Sequence, residues 1–280
     1  MQAIIEIRPG QSIELLKELH ILTRDGKLNQ DSRRKLKQVY HLYQFIEPLL
    51  KSLIATNIER GITLVDHGAG KSYLGFILHD LFFKNLLNDS HIYGIESRAE
   101  LVDKSVALAK RLQFGGMSFL ALTVAEAISS DLLPAQIDIV TALHACNTAT
   151  DDAIHFALKR NATHIVLVPC CQAEVASVLN RLKGKSLGKN VLTELWRHPL
   201  HTREFGSQLT NVLRCLQLEA HGYQVNVTEL VGWEHSMKNE LIIATQKHLP
   251  NRRAAQRLQE ILETVGVEEE LAERFFVPIA

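Results

Sequence analysis

Apolar side chains recur at intervals of three and four along residues 11–53: Ile13, Leu15, Leu16 and Leu19, then Val39, Leu42, Phe45, Ile46, Leu49, Leu50 and Leu53. This spacing returns to one side of a helix at every turn and predicts a helical N-terminal region over residues 1–60. Past Gly61 the period changes. Short segments rich in β-branched residues lie at 62–66, 91–96, 117–124, 137–143, 164–169, 223–231 and 239–245. Between them run helical patterns over 73–87, 98–112, 151–159, 173–182 and 206–221. Strand and helix in alternation predict an α/β domain over 61–248, built on a mostly parallel sheet. The connection at 232–238 is too short for a parallel crossover, so the last two strands should pair antiparallel. Over 249–280 the pattern is helical again, with Leu258, Ile261, Leu262 and Val265 on one stripe and a break at Gly266.

Composition narrows the classes. With 46% hydrophobic and 22% charged side chains among 280 residues, the chain can bury a full core. Lys and Arg total 31 and so do Asp and Glu, so any nucleic-acid contact must come from a local patch. One candidate exists: Arg24, Lys27, Arg33, Arg34, Lys35 and Lys37, interrupted by Asp25 and Asp31, a run that otherwise reads as a solvated face. No apolar run approaches the ~20 residues of a membrane helix, so a membrane partner is not expected. The start MQAIIEIRPG lacks a basic segment and a small-residue cleavage site, which leads to the cytoplasm. Four cysteines, two of them the adjacent Cys170 and Cys171, do not form the framework of a small secreted domain, and reduced thiols are expected.

The chemistry concentrates at strand ends. Val65-Asp66-His67-Gly68-Ala69-Gly70-Lys71-Ser72 leaves a strand and enters a helix, which brings backbone amides to the carboxyl edge of the sheet. A phosphate-binding P-loop would need glycine where Val65 stands. A dinucleotide loop would need its third glycine at Tyr73, whose bulk opposes close packing. What remains is D-x-G-x-G at Asp66, Gly68 and Gly70, followed at the next strand end by Glu96, whose carboxylate can accept hydrogen bonds from two ribose hydroxyls. A lone G-x-G is otherwise an ordinary tight turn.

This pair, the strand order it sits in and two further motifs resemble the class I S-adenosylmethionine-dependent methyltransferases. The segments His144-Ala145-Cys146-Asn147-Thr148-Ala149-Thr150-Asp151 and Pro169-Cys170-Cys171-Gln172 are similar to a group that includes tRNA 2′-O-methyltransferases with an HLCG-x-ATD motif and the methyltransferase domains of several eukaryotic methyltransferase-like proteins, over roughly residues 35–246. The chain departs from that group at Asn147, where glycine is common, and at Gln172, where the tRNA enzymes have histidine. The resemblance implies a Rossmann-like seven-stranded sheet with an antiparallel last strand, and S-adenosylmethionine as cofactor. It implies a donor site at Asp66, Gly68, Gly70, Glu96 and His144, with Val124, Ala125 and Glu126 beside the adenine.

The expected reaction moves a methyl group to an O or N acceptor, with RNA as the expected substrate and DNA not. A protein or small-molecule acceptor, or a cofactor-binding scaffold without turnover, are the alternatives. His144, Asn147 and Cys171 are the candidate catalytic residues. His144 is either a base for the acceptor proton, since imidazole titrates near neutral pH, or an orienting group. Cys170, Trp233 and His235 are candidates for holding the acceptor, and the stretch from Trp196 to Glu204 is read as another rim of that pocket. His144, Cys146, Cys170 and Cys171 include zinc-ligand types, but adjacent cysteines on a strand end point apart and no C-x-x-C spacing is present, so no metal is expected. Oligomeric state is not legible.

Overall fold

A computed structural model describes residues 7–56, 60–86, 89–143, 147–169, 172–186, 190–230 and 240–277. Two helices open the chain, α1 (Ile13–Glu18) and the long α2 (Gln30–Thr56). Then follow β1 (Thr63–His67), α3 (Tyr73–Leu81), β2 (His91–Ile95), α4 (Ala99–Arg111), β3 (Met117–Leu120), α5 (Val124–Ser129), β4 (Ile139–Leu143), α6 (Ala149–Lys159), β5 (His164–Val168), α7 (Glu174–Ser186), α8 (Pro199–Ala220), β6 (Tyr223–Glu229) and β7 (Glu240–Gln246). The chain closes with α9 (Arg252–Val265) and the single turn α10 (Glu268–Leu271).

The seven strands form one sheet in the order β3-β2-β1-β4-β5-β7-β6. β1 to β5 are parallel, and β7 runs antiparallel to both β5 and β6. The expected α/β, Rossmann-like sheet with an antiparallel last strand is therefore present. The chain steps from β1 outward to β3, then returns to lay β4 on the other side of β1. That reversal opens a crevice at the carboxyl ends of β1 and β4, where ligands of open α/β sheets bind.

Burial on both faces explains the near-continuous apolar strands. On one face Val65, Val140, Ile165 and Leu167 pack against Ile154 and Phe156 of α6 and Leu218 of α8. On the other, Leu64, Ile92, Ile139 and Val166 meet Leu42, Ile46, Leu50 and Leu53 of α2 and Leu74 and Leu78 of α3. The N-terminal helix thus covers the sheet beside the crevice. At the far side Leu258 and Leu262 of α9 share a core with Val175 and Leu179 of α7 and Leu209 and Leu213 of α8.

Two local expectations are corrected. The run 117–124 is not strand throughout: β3 stops at Leu120, and Thr123 caps α5 through a reciprocal pair of hydrogen bonds with Glu126. The helix expected from residue 206 begins earlier, inside the stretch from Trp196 to Glu204. Trp196 is buried and stacked on Phe205 at 5.1 Å, and Pro199 begins α8 seven residues before the expected start at 206, at the first helical position that proline favours.

One buried ion pair locks α6 to α8. Arg214 Nε and Nη2 donate to Asp151 Oδ1 and Oδ2 at 2.7 and 2.8 Å, with both side chains all but inaccessible. Removing one partner leaves an uncompensated buried charge, so Asp151→Asn should lower unfolding free energy by about 3–5 kcal/mol. Breaking the half-exposed Arg274–Glu174 pair with Glu174→Gln should cost no more than about 1 kcal/mol. Urea unfolding of the two variants checks the contrast, and equal losses would contradict it.

Candidate functional site

The glycine loop grows directly out of β1. Gly68 and Gly70 hold φ of 65° and 58°, the left-handed region that glycine enters without steric cost. Those two residues reverse the chain, so that Ala69 N–H donates to the carbonyl of Ile95 at 2.9 Å and Gly70 N–H to Glu96 Oε2 at 2.9 Å. The loop is thereby fastened to the end of β2, the strand that pairs with β1 in register His67 to Ile95.

Glu96 is nearly buried and engaged on both oxygens. Arg98 Nε and its own amide donate to Oε1 at 2.8 and 3.1 Å, and Arg98 Nη2 reaches Oε2 at 3.3 Å. The Arg98 guanidinium holds this carboxyl below the usual carboxylate range; burial opposes, and the Arg98 and Gly70 amides add to the lowering. The group is an anion at neutral pH. Arg98 itself is 60% exposed, so its long side chain is free to yield its place to other donors.

Gly68, Glu96 and Val124 come together on one cleft of about 390 Å³ at the carboxyl ends of β1 and β2. Ile95, Leu122 and Val124 give it apolar walls, and Asp152 of α6 stands at its edge. Ala125 and Glu126, expected beside them, are exposed on α5, where the Glu126 carboxylate is spent on Thr123. Val124, also expected there, lines the cleft together with Leu122 and Thr123, just past the end of β3 at Leu120. Asp66 lies on the opposite side of the loop, buried, and accepts from Thr141 Oγ1 at 2.8 Å.

Asn147 carries scaffold duties. Its φ of 52° is the left-handed conformation that asparagine tolerates better than most residues, which accounts for asparagine at a position where glycine is common in the resembling group. Its Oδ1 accepts from the amides of Ala173 and Glu174, both at 3.1 Å, and so caps α7 from a neighbouring loop. Asn147, a candidate catalytic residue, thus engages its side-chain oxygen with the start of α7. Gln172 is buried, donating to Asn211 and accepting from Ser207. His144, Cys146, Cys170, Cys171, Trp233 and His235 lie outside the described residues.

His67 is the residue that spacing did not single out. It lines the cleft, packs against Phe156 at 5.6 Å, and neither ring nitrogen has a partner among the described residues. Burial pushes its pKa down to about 4 from the ordinary 6.5, while burial pushes the neighbouring Asp66 up to about 6 from 3.8. The two oppose each other on acidification. Below pH 6.5 the unfolded chain protonates His67 first, so its contribution is lost as pH falls toward 4. Between pH 6 and 3.8 the folded chain protonates Asp66 first, so stability is gained there. Each amounts to about 3 kcal/mol. His67→Phe removes only the loss, and the variant should therefore gain on the wild type by up to about 3 kcal/mol as pH drops through this window. Urea titrations at stepped pH check it; a difference that stays flat would show His67 to be protonated freely in the folded chain.

Comparison with known proteins adds the family. The profile of a family described as a methyltransferase domain matches residues 34–178, just over half of the chain. A glutathione S-transferase C-terminal domain-containing protein of Bos taurus is 24% identical over 238 residues, which is 79% of this chain and 34% of the relative. The chain thus spans about a third of that relative's length. Among solved structures, a magnesium protoporphyrin IX methyltransferase from Synechocystis with bound S-adenosylhomocysteine aligns at TM-score 0.46 and 15% identity, over 85% of this chain and 96% of that one. Aeropyrum pernix fibrillarin with natively bound S-adenosylmethionine aligns at TM-score 0.40 and 10% identity, over 67% and 68% of the two chains. On the profile match, the chain belongs to the methyltransferase-domain family.

Proposed function

We infer that the chain is an S-adenosylmethionine-dependent methyltransferase whose donor sits in the cleft beside the glycine loop and whose acceptor is an O or N atom of RNA. The observation that carries the donor site is the meeting of the Gly70 amide with the Glu96 carboxylate, with Gly68 and Val124 on the same cleft. The residues suit the ligand. Two vicinal ribose hydroxyls would take over the hydrogen bonds that Arg98 now gives to Glu96. A flat ring would lie among Ile95, Leu122 and Val124, which exclude water from it. The cofactor supplies a methyl group made electrophilic by a sulfonium. The protein's share is chiefly to hold acceptor and methyl in line, which is worth up to ~7–11 kcal/mol in favourable cases.

For the acceptor, RNA is supported by the basic segment: Arg24, Lys27, Arg33, Lys35 and Lys37 are all exposed, the last three in the opening turns of α2. The HAC-x-x-ATD and PCC motifs support the same assignment through their likeness to tRNA 2′-O-methyltransferases. Both departures from that pattern, Asn147 and Gln172, are taken up in hydrogen bonds that hold the scaffold. RNA modification in the cytoplasm is the setting that fits these features.

Isothermal titration should show S-adenosylhomocysteine binding to the wild type. Glu96→Ala should weaken it by about 1.5–3 kcal/mol, the range of a hydrogen bond to a charged group. Labelled methyl from S-adenosylmethionine should appear in an RNA fraction of cell extract. No heat from folded wild-type protein would overturn the donor site, and label confined to protein would overturn the acceptor.

A further inference from the structure

The glycine loop has a cavity on each side. His67 and Gly68 face the donor cleft, whereas Asp66 and Ala69 line a second cavity of about 270 Å³. Its outer wall is α2: Lys35, Gln38, Val39 and Leu42 all line it, at the i, i+3, i+4 and i+7 spacing that puts four side chains on one helical stripe. Across from them stand Tyr73 and Leu74 at the start of α3. Leu143, the last residue of β4, closes the inner end, and His144 follows it directly in the chain.

Size and chemistry select the occupant. The volume falls just under the ~300 Å³ at which sites for drug-sized molecules begin, so one planar ring system fits and a base pair does not. The lining is mostly apolar, its polar members being Lys35, Gln38 and the buried Asp66. Leu42 and Leu74 are buried, Tyr73 contributes an aromatic side chain, and Lys35 is exposed. A mostly apolar slot with an aromatic side chain and one exposed cation in its lining matches a base unstacked from a single strand, with its phosphate outside.

We propose that this cavity receives one unpaired RNA base, seated between Val39 and Leu42 of α2 and Tyr73 of α3, with a backbone phosphate at Lys35. The N-terminal helix then does more than cover the sheet. It forms the acceptor wall, and the glycine loop is the partition across which donor and acceptor meet. The proposal rests on the methyltransferase assignment, but its test reads RNA binding separately from donor binding.

Fluorescence anisotropy would use a short unstructured RNA, the same sequence locked in a duplex and a free mononucleotide, each with and without S-adenosylhomocysteine. The single strand should bind more tightly than the duplex or the mononucleotide. Val39→Trp, which fills the slot, should weaken single-strand binding by about tenfold or more with an unchanged salt slope. Lys35→Glu, an exposed change that leaves the core intact, should lower the slope of log affinity against log salt by about one. Both variants should keep wild-type affinity for S-adenosylhomocysteine, which also shows them folded. Val39→Trp binding RNA like the wild type, a duplex binding as tightly as the single strand, or a mononucleotide matching the oligonucleotide would each overturn the proposal. Loss of S-adenosylhomocysteine binding in the wild type, with RNA behaviour as expected, would instead overturn the donor site and leave this one standing.

Discussion

One hydrogen bond, from the Gly70 amide to the Glu96 carboxylate, sets the geometry on which the site depends. It joins the first residues after β1 to the first residue after β2, and it forms because Gly68 and Gly70, on either side of Ala69, both accept positive φ. With that contact in place the chain turns into α3 at Tyr73, and the Gly75 amide in its first turn donates to Asp66. The cleft on one side and the slot on the other then follow from a single turn of backbone. The carboxylate stays charged because a guanidinium and two amides meet it, and an ionised acceptor at a strand end is what a sugar's paired hydroxyls require.

The sheet was legible because burial on both faces leaves β-branched runs with little polar interruption, and each strand appears where such a run stands. Helices with a clear stripe, α4 and α9 among them, were legible for the same reason. The start of α8 was not. Trp196, His198, His201 and Arg203 give no apolar period, and the signals that mark the start are local: Pro199 at the first turn, and Thr202 Oγ1 reaching back to the Trp196 carbonyl at 2.7 Å. At α5 the capping pair Thr123 and Glu126 spells T-x-x-E, but it is embedded in a stretch whose apolar residues continue the strand pattern, which is how 117–124 reads as strand throughout. That short helix is why the cleft takes 122–124 rather than 125 and 126.

Within the site, spacing revealed what spacing governs. Asp66, Gly68, Gly70 and Glu96 are tied to a turn and a strand end, so their positions in the chain carry their positions in space. His67 and Arg98 reach the cleft through side-chain packing and a local ion pair, for which no interval in the sequence is diagnostic. Asn147 shows a middle case. Its residue type was visible as a departure from glycine, and the left-handed backbone explains why asparagine is accepted there, but the capping of a helix 26 residues away is a tertiary fact.

The Arg214 guanidinium, besides its ion pair, donates to the Asn147 carbonyl and to Asn211 Oδ1, and Asn211 in turn accepts from Gln172 and donates to Glu240 of β7. Asn147 follows the segment that contains His144 and Cys146; Gln172 follows Cys170 and Cys171. The stems of both motif-bearing segments therefore hang from one pin. Neither stem can slacken without pulling on the other, and a displacement of α8 along its axis would carry the two together, so the spacing between them behaves as a single mechanical variable.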